Sequence, residues 1–171
     1  MATEGTISKS IEVVTGPNDR GNAVPIESVA DILDRELRPL IADWLGRVEQ
    51  EPELTCIPLN FEERTGHLPA LVHDVTARLR RDAGTKAPIS EAAGIHGELR
   101  RRQGYPVEML IEESRLLQVC IFTTLHKNVK NLEFTKLLPD VVTIADEVDA
   151  QLKQQMKRFK TADTGVPAKA K

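Results

Sequence analysis

Apolar residues recur at steps of three and four along most of the chain between residues 25 and 162, and this spacing constrains the fold more than any other feature. The repeat begins with Val29, Ile32, Leu33, Leu37, Leu40, Ile41, Trp44, Leu45 and Val48. Such a period gives an α-helix one apolar face, whereas a half-buried strand alternates at every second residue. The β-branched run at 141–144 lies inside the same helical repeat. We therefore predict an all-α fold, a single-domain bundle of five or more helices.

Capping residues and prolines divide the first half of this repeat. Ser28 is expected to cap a first helix, because its hydroxyl can accept a hydrogen bond from a free backbone N–H. Pro39 lies inside that helix and should kink it by removing one backbone hydrogen bond. Asn60 can cap a short turn, and Pro69 suits the first turn of a second helix that ends in the basic residues of 78–81.

Three further helices are expected in the second half. Ser90 caps the third, and Gly104 ends it. Pro106 opens the fourth, so the short corner between them makes the two helices neighbours. The last helix spans residues 132–159, and Pro139 is expected to divide a short first segment from the main rod.

The two ends of the chain differ in composition from this central region. Residues 1–24 carry three of the ten glycines, and residues 163–171 are rich in small residues with one glycine and one proline. We expect flexible tails there. No basic segment followed by an apolar one marks a secretory signal, and no apolar run approaches the roughly 20 residues that span a bilayer. The expected location is the cytoplasm, without membrane contact.

Charge and composition exclude some classes of partner. The chain has 23 Lys and Arg against 26 Asp and Glu, a net charge of −3, so nucleic-acid binding is not expected despite the basic run at 100–102. The two cysteines, Cys56 and Cys120, do not make a disulfide framework, which fits a reducing compartment.

The four histidines do not form a metal-binding motif in the sequence. The nearest pair, His67 and His73, is six residues apart, and neither Cys-x-x-Cys nor His-Glu-x-x-His occurs. No phosphate loop or nucleophile motif is present. We predict no metal, no cofactor and no catalytic residue. Two alternatives stay open: a globin-like haem or small-molecule sensor, and phosphorylation of His96, since His96-Gly97-Glu98-Leu99-Arg100 resembles a phosphoacceptor box with a glycine inserted.

A longer pattern includes this segment. Residues 96–105, His-Gly-Glu-Leu-Arg-Arg-Arg-Gln-Gly-Tyr, precede Leu-Ile-Glu-Glu-Ser-Arg-Leu-Leu at 110–117. Together with Trp44 and the Gly-His-Leu-Pro-Ala-Leu segment at 66–71, this resembles the RsbRD-type N-terminal domain over about residues 33–152. That family is named for stressosome co-antagonists of the RsbT kinase, and similar domains precede bacterial sensor histidine kinases.

The resemblance implies a non-enzymatic bacterial sensory module that acts through protein partners in a signalling pathway. Related stressosome domains are similar to globins without haem and form dimers, so a globin-like fold is implied here. No phosphorylatable or kinase domain follows within the 171 residues, so direct phosphotransfer and control of RsbT are not expected of this sequence. Under this interpretation His96, Arg101, Tyr105 and Glu113 line a signal-sensing pocket or interface, with Arg101 reaching Glu112 or Glu113 across the corner. The alternative is that these residues only hold the corner together.

The C-terminal rod predicts self-association. Its apolar positions step by three and four residues up to Phe159, close to a coiled-coil seam. Val148, Leu152, Met156 and Phe159 are the expected seam of a homodimer. The same stripe also suits packing within the chain's own bundle, and that alternative stays open.

Overall fold

Helices make up most of the residues that the structure describes. The computed structural model describes residues 25–81 and 88–162. Its helices are α1 (Val29–Arg35), α2 (Leu37–Val48), α3 (Pro52–Thr55), α4 (Phe61–Thr65), α5 (Leu68–Leu79), α6 (Glu91–Arg102), α7 (Val107–Lys127) and α8 (Phe134–Thr161), with a 3₁₀ turn at Val129–Asn131. Within these two ranges no strand occurs, and the one β-type contact is an isolated parallel bridge between Glu27 and Leu132. The predicted all-α bundle is confirmed, while the two expected tails lie outside the described residues.

The predicted capping residues begin the helices as expected. Ser28 accepts a hydrogen bond from the Asp31 N–H at the start of α1, and Ser90 caps α6 in the same way. At α4, the Asn60 side chain accepts from the Glu63 N–H while the Glu63 carboxylate accepts from the Asn60 N–H. This reciprocal capping satisfies two backbone donors that a short helix would otherwise leave free.

Of the two internal prolines, Pro39 interrupts its helix as predicted and Pro139 does not. The first helix breaks at Glu36, three residues before Pro39, in the turn that the proline ring disrupts, and Pro39 then lies in the first turn of α2. Pro139 does not divide the last helix, because α8 runs without a break from Phe134 to Thr161. Pro139 lies near the start of α8 and is exposed, so the lost hydrogen bond affects only the solvent side of the first turns.

The long helix α8 is the main packing element of the bundle. It packs most extensively on α6 and also contacts α5 and α7, while α1 lies on α5 and α2 on α7. The core between these pairs is aliphatic around the single tryptophan, Trp44, which is fully buried. A close approach of α6 and α8 depends on Gly97, since a Cβ there would lie 2.2 Å from the Gln155 carbonyl oxygen.

The inner face of α8 includes half of the expected dimer seam. Val148 and Phe159 are buried in the chain's own core, whereas Leu152 and Met156 are half-buried. The seam therefore stays a prediction, but two of its four residues are already covered by the bundle. In the part of the chain that the structure describes, no helix is both long enough and apolar enough to cross a membrane.

Candidate functional site

A cluster of polar side chains lies where α4, α5, α6 and α7 meet. We call it the corner cluster; it consists of Arg64, His67, His96, Arg100, Tyr105 and Glu113. Five of these residues are buried, and His67 is half-buried. Since buried charged groups are costly unless they are paired, so dense a group of them marks this corner as the candidate site.

Local sequence places each side chain in the corner. His96 and Arg100 are four residues apart on α6, so both point from the same helical face. Gly104 follows α6 with a φ of +85°, a left-handed conformation that glycine adopts at little cost. This sharp corner turns the chain so that Tyr105 is buried, and α7 then returns Glu113 to face α6.

The Glu113 carboxylate is the acceptor at the centre of the cluster. Arg100 Nε donates to Oε2 over 2.9 Å, and the Tyr105 hydroxyl donates to Oε1 over 3.0 Å. His96 Nε2 lies 3.2 Å from Oε2. The Trp44 indole N–H donates to the Glu113 backbone oxygen over 3.2 Å, which fixes α2 against the same turn of α7.

The two arginines of the cluster donate hydrogen bonds to backbone oxygens of neighbouring segments. Arg100 donates to the backbone oxygens of Glu63 and Arg64 and to the Gln103 side chain, so it caps the free carbonyls at the end of α4. Arg64 donates to the backbone oxygens of Leu54 and Ile57 and to the Tyr105 hydroxyl. The planar guanidinium suits several hydrogen bonds of fixed geometry, and these bonds connect the chain at residues 54–57, 63–64, 100–105 and 113.

The two histidines of the cluster stack on each other. The ring centroids of His67 and His96 are 3.7 Å apart with an angle of 12° between the planes, and Trp44 meets His67 edge-on at 5.9 Å. The Nδ1 atoms of both rings are buried without a hydrogen-bond partner. The stack is therefore held by ring contacts and by the single bond from His96 to Glu113.

Burial and neighbouring charges set the protonation states. Burial lowers the pKa of His67 well below 6.5, and His96 and Arg100 add to the effect. Burial also lowers the pKa of His96, although Glu113 opposes it. For Glu113, burial raises the pKa, but the contacts with His96 and Arg100 outweigh it and the net pKa is lowered. Burial raises the pKa of Tyr105 to about 12. Near neutral pH the cluster thus contains two neutral imidazoles, an ionised carboxylate and a protonated phenol.

The structure brings together three of the four predicted site residues. His96, Tyr105 and Glu113 meet in the cluster, but Arg101 does not reach Glu113; its guanidinium lies 5.3 Å from the centroid of the Phe159 ring. Arg100 occupies the predicted place of Arg101. Each residue along a helix turns by about 100°, and Arg100, not Arg101, repeats the direction of His96.

Arg64, His67 and Arg100 were not predicted to belong to this cluster. The four-residue spacing of His96 and Arg100, which places both on one face of a helix, was sufficient to predict Arg100. Arg64 and His67 gave no comparable signal, since they lie at the end of α4 and just before α5, where helical periodicity does not define an inward direction.

The geometry limits the chemistry that the cluster offers. Glu113 already accepts from three side chains, and the one His96 nitrogen without a partner, Nδ1, is buried away from solvent, so neither group is placed to act as a general base on a molecule from solution. The burial of His96 also argues against its phosphorylation in this conformation, because its ring is 2% exposed. An open apolar groove of about 440 Å³ lies elsewhere, lined by Ile41, Leu45 and Phe61 together with Arg38, Ala42, Gly46 and Glu49.

Comparisons of the chain with family models, with curated protein sequences and with solved structures found no match. The resemblance to the RsbRD-type N-terminal domain accordingly stays a prediction from the residues quoted above.

Proposed function

We propose that the chain is a non-enzymatic signalling module that acts by protein–protein contact, and that a second copy of the chain is one partner. The single observation that carries this proposal is an apolar stripe on the solvent side of α8. We call it the outer stripe; it consists of Phe134, Leu138, Val142, Ala145, Leu152 and Met156.

The first half of the outer stripe is open to solvent. Phe134 is 66% exposed, Leu138 76% and Val142 68%, and the three are spaced four residues apart on one helical face. Ala145, Leu152 and Met156 continue the same face and are half-buried, Met156 against the chain's own core, with the exposed Asp149 between Ala145 and Leu152. Single exposed apolar residues are common on protein surfaces, but an aligned series along a long helix is typical of a docking face.

The outer stripe has a symmetry that suits a second copy. Leu138 and Leu152 lie seven residues on either side of Ala145, and Phe134 and Met156 lie eleven residues on either side. In an antiparallel pair of α8 helices that cross at Ala145, each leucine therefore faces a leucine, and each phenylalanine a methionine. A two-fold interface needs this self-complementarity, because the same patch supplies both sides.

Size and charge at the crossing favour the same arrangement. Ala145 has a small side chain and permits a short distance between the two helix axes. Glu133, which is the N-cap residue of α8 and pairs with Lys136 in the single chain, and Lys157 lie twelve residues on either side of Ala145, so each carboxylate comes near an ammonium group of the other copy. Opposite charges at the rim favour the antiparallel register, because a parallel pair would place like charges together.

The corner cluster supports a signalling role by its connection to α8. The α6 helix contributes His96 and Arg100 to the cluster and packs its Gly94 and Gly97 side against α8. A change in the cluster that shifts α6 would therefore move α8 and its outer stripe. The proposed partners in a wider pathway rest on the RsbRD-type resemblance.

Sedimentation velocity of three proteins tests this proposal. The wild-type chain is expected to be a dimer at tens of micromolar, and Leu138→Asp a monomer, because a charge then lies in the apolar contact. The matched control is Ile95→Asp, which changes an exposed isoleucine on α6 outside the stripe and should remain a dimer. A monomeric wild-type chain, or a Leu138→Asp variant that dimerises equally well, contradicts the proposal.

A further inference from the structure

The stacked histidines and Glu113 have the composition of a metal site. One ring nitrogen of His67, one of His96 and one Glu113 oxygen lie within 4.8 Å of one another. Imidazole and carboxylate are the ligands of many zinc sites in which three protein groups leave one position open. The three residues come from separate parts of the chain, so a search for ligand spacing within one helix does not detect them.

One distance in the cluster already matches metal coordination. His96 Nε2 and Glu113 Oε2 are 3.2 Å apart. Two ligands at about 2.1 Å from one tetrahedral ion are about 3.4 Å from each other. An ion can therefore replace the proton between these atoms with little movement of either side chain, and the His96 proton then resides on Nδ1.

His67 supplies the third ligand. Its Nδ1 is buried without a partner, a condition that costs about 1–3 kcal/mol and that a bound ion relieves. Because the two rings are stacked, one ion cannot lie in both ring planes, so His67 must turn as it binds. In turning, the His67 ring leaves its stack with His96 and changes its edge contact with Trp44.

The surrounding groups prepare the ligands. Tyr105 donates to Oε1 and Arg100 to Oε2, so both hold the carboxylate in place, as outer groups commonly orient metal-ligating carboxylates, although Arg100 shares Oε2 with the bound ion. The positive charge of Arg100 weakens the site and favours a moderate, reversible affinity over a permanent structural ion.

From this geometry we propose that His67, His96 and Glu113 form a binding site for a divalent transition-metal ion of the Zn²⁺ class. The site shares no residue with the outer stripe, so metal binding and dimer formation are tested separately and each can fail without the other.

Fluorescence of the single tryptophan gives a direct test. The full chain with Cys56→Ser, which removes the exposed thiol, is stripped with EDTA and titrated with Zn²⁺ while Trp44 emission is followed. Because His67 contacts the Trp44 ring, its movement should produce a saturable change at one ion per chain. Co²⁺ in place of Zn²⁺ should give visible absorption bands in the same ratio.

Histidine variants locate the binding. His67→Gln should weaken Zn²⁺ binding by at least tenfold, whereas the exposed His73→Gln and His126→Gln together should leave it unchanged. That double variant retains only His67 and His96 of the four histidines, so its Co²⁺ bands support the site even if His67→Gln does not fold. Any one of three results overturns the proposal. These are the absence of a saturable fluorescence change in the parent protein, the loss of the Co²⁺ bands in the double variant, and an unchanged Zn²⁺ affinity in a folded His67→Gln protein.

Discussion

At the scale of single residues, the Glu113 carboxylate is the common acceptor for His96, Arg100 and Tyr105 in the corner cluster. Glu113→Gln keeps the size of the side chain but removes the charge that compensates buried Arg100. Breaking a buried pair in this way costs about 3–5 kcal/mol of unfolding free energy. Denaturation with urea, monitored by circular dichroism, measures the loss.

The neighbouring acid gives a control for Glu113. Glu112 pairs with Arg115 on the surface of α7, so Glu112→Gln should cost only about 0–1 kcal/mol. Equal losses of unfolding free energy in the two variants would contradict the larger cost that we expect at the buried Glu113.

Glu147 predicts a pH dependence of stability. Burial raises the pKa of this carboxyl to about 7 from its ordinary 4.5, and Asp74 and Asp146 add to the effect, while Gln151 and Arg78 oppose it. The folded chain therefore binds more protons than the unfolded chain between about pH 4.5 and 7, and the Glu147 contribution to stability falls as the pH rises through this window.

Replacing Glu147 isolates this effect. Glu147→Gln should stabilise the protein relative to wild type at pH 8 more than at pH 5, in urea denaturation at both values. The control Asp149→Asn, at an exposed position of the same helix, should show a smaller difference between the two pH values. A stability difference for Glu147→Gln that is independent of pH would contradict a raised pKa.

The residues of the site were only partly predictable from the sequence. His96, Tyr105 and Glu113, which the resemblance implied, meet in the structure, whereas Arg101 was named on α6 where Arg100 faces the cluster. His67 is 29 residues before His96 in the sequence, and only the packing of α5 beside α6 brings the two rings together.

At the scale of elements, the contact of α6 with α8 depends on a missing side chain. A Cβ at position 97 would lie 2.2 Å from the Gln155 backbone oxygen, and backbone cannot move aside as a flexible side chain does. Gly97→Ala should therefore destabilise the protein, since an overpacking cost of about 1–3 kcal/mol exceeds the gain of about 1 kcal/mol in helix propensity.

A second helical glycine separates these two effects. At Gly46 on α2 a Cβ would meet nothing within 4 Å, so Gly46→Ala should raise the unfolding free energy by about 0.5–1 kcal/mol. Thermal unfolding of both variants is the measurement. Stabilisation by Gly97→Ala would mean that α6 and α8 lie farther apart than described.

The helix boundaries show what local sequence decides. Caps at Ser28, Asn60 and Ser90 are local hydrogen bonds, and each was predictable from the residue type. The effects of Pro39 and Pro139 depend on whether the missing N–H falls in a first turn or on an exposed face, which the register of the whole helix determines.

At the scale of the whole molecule, the lowered pKa values of His67 and His96 predict sensitivity to acid. The unfolded chain binds more protons than the folded chain below about pH 6.5, so this contribution to stability is present above pH 6.5 and is lost as the pH falls. The raised pKa of Glu147 has the opposite effect on stability, so the test uses the Glu147→Gln variant. The melting temperature of this variant should fall as the pH is lowered from 7 to 5. A melting temperature that rises over this range would contradict neutral buried histidines.

The fold class was predictable because the apolar period covers nearly every described helix, whereas the faces of α8 were not. Val148 and Phe159 share the repeat with Leu152 and Met156, and only the packing of α5, α6 and α7 on α8 decides which of them face inward. The predicted dimer seam and the outer stripe therefore have Leu152 and Met156 in common and differ elsewhere.

Disulfide trapping at the proposed crossing point gives the most direct evidence on the antiparallel α8 dimer. With Cys56→Ser as background, Ala145→Cys places one thiol on the two-fold axis, where the two copies should approach to disulfide distance. Mild oxidation should convert most of this protein to a covalent dimer, as seen on a non-reducing gel, whereas Leu138→Cys should remain mostly uncrosslinked because Leu138 faces Leu152 of the other copy. An Ala145→Cys protein that stays monomeric, or that crosslinks no better than Leu138→Cys, would contradict an antiparallel dimer that crosses at Ala145.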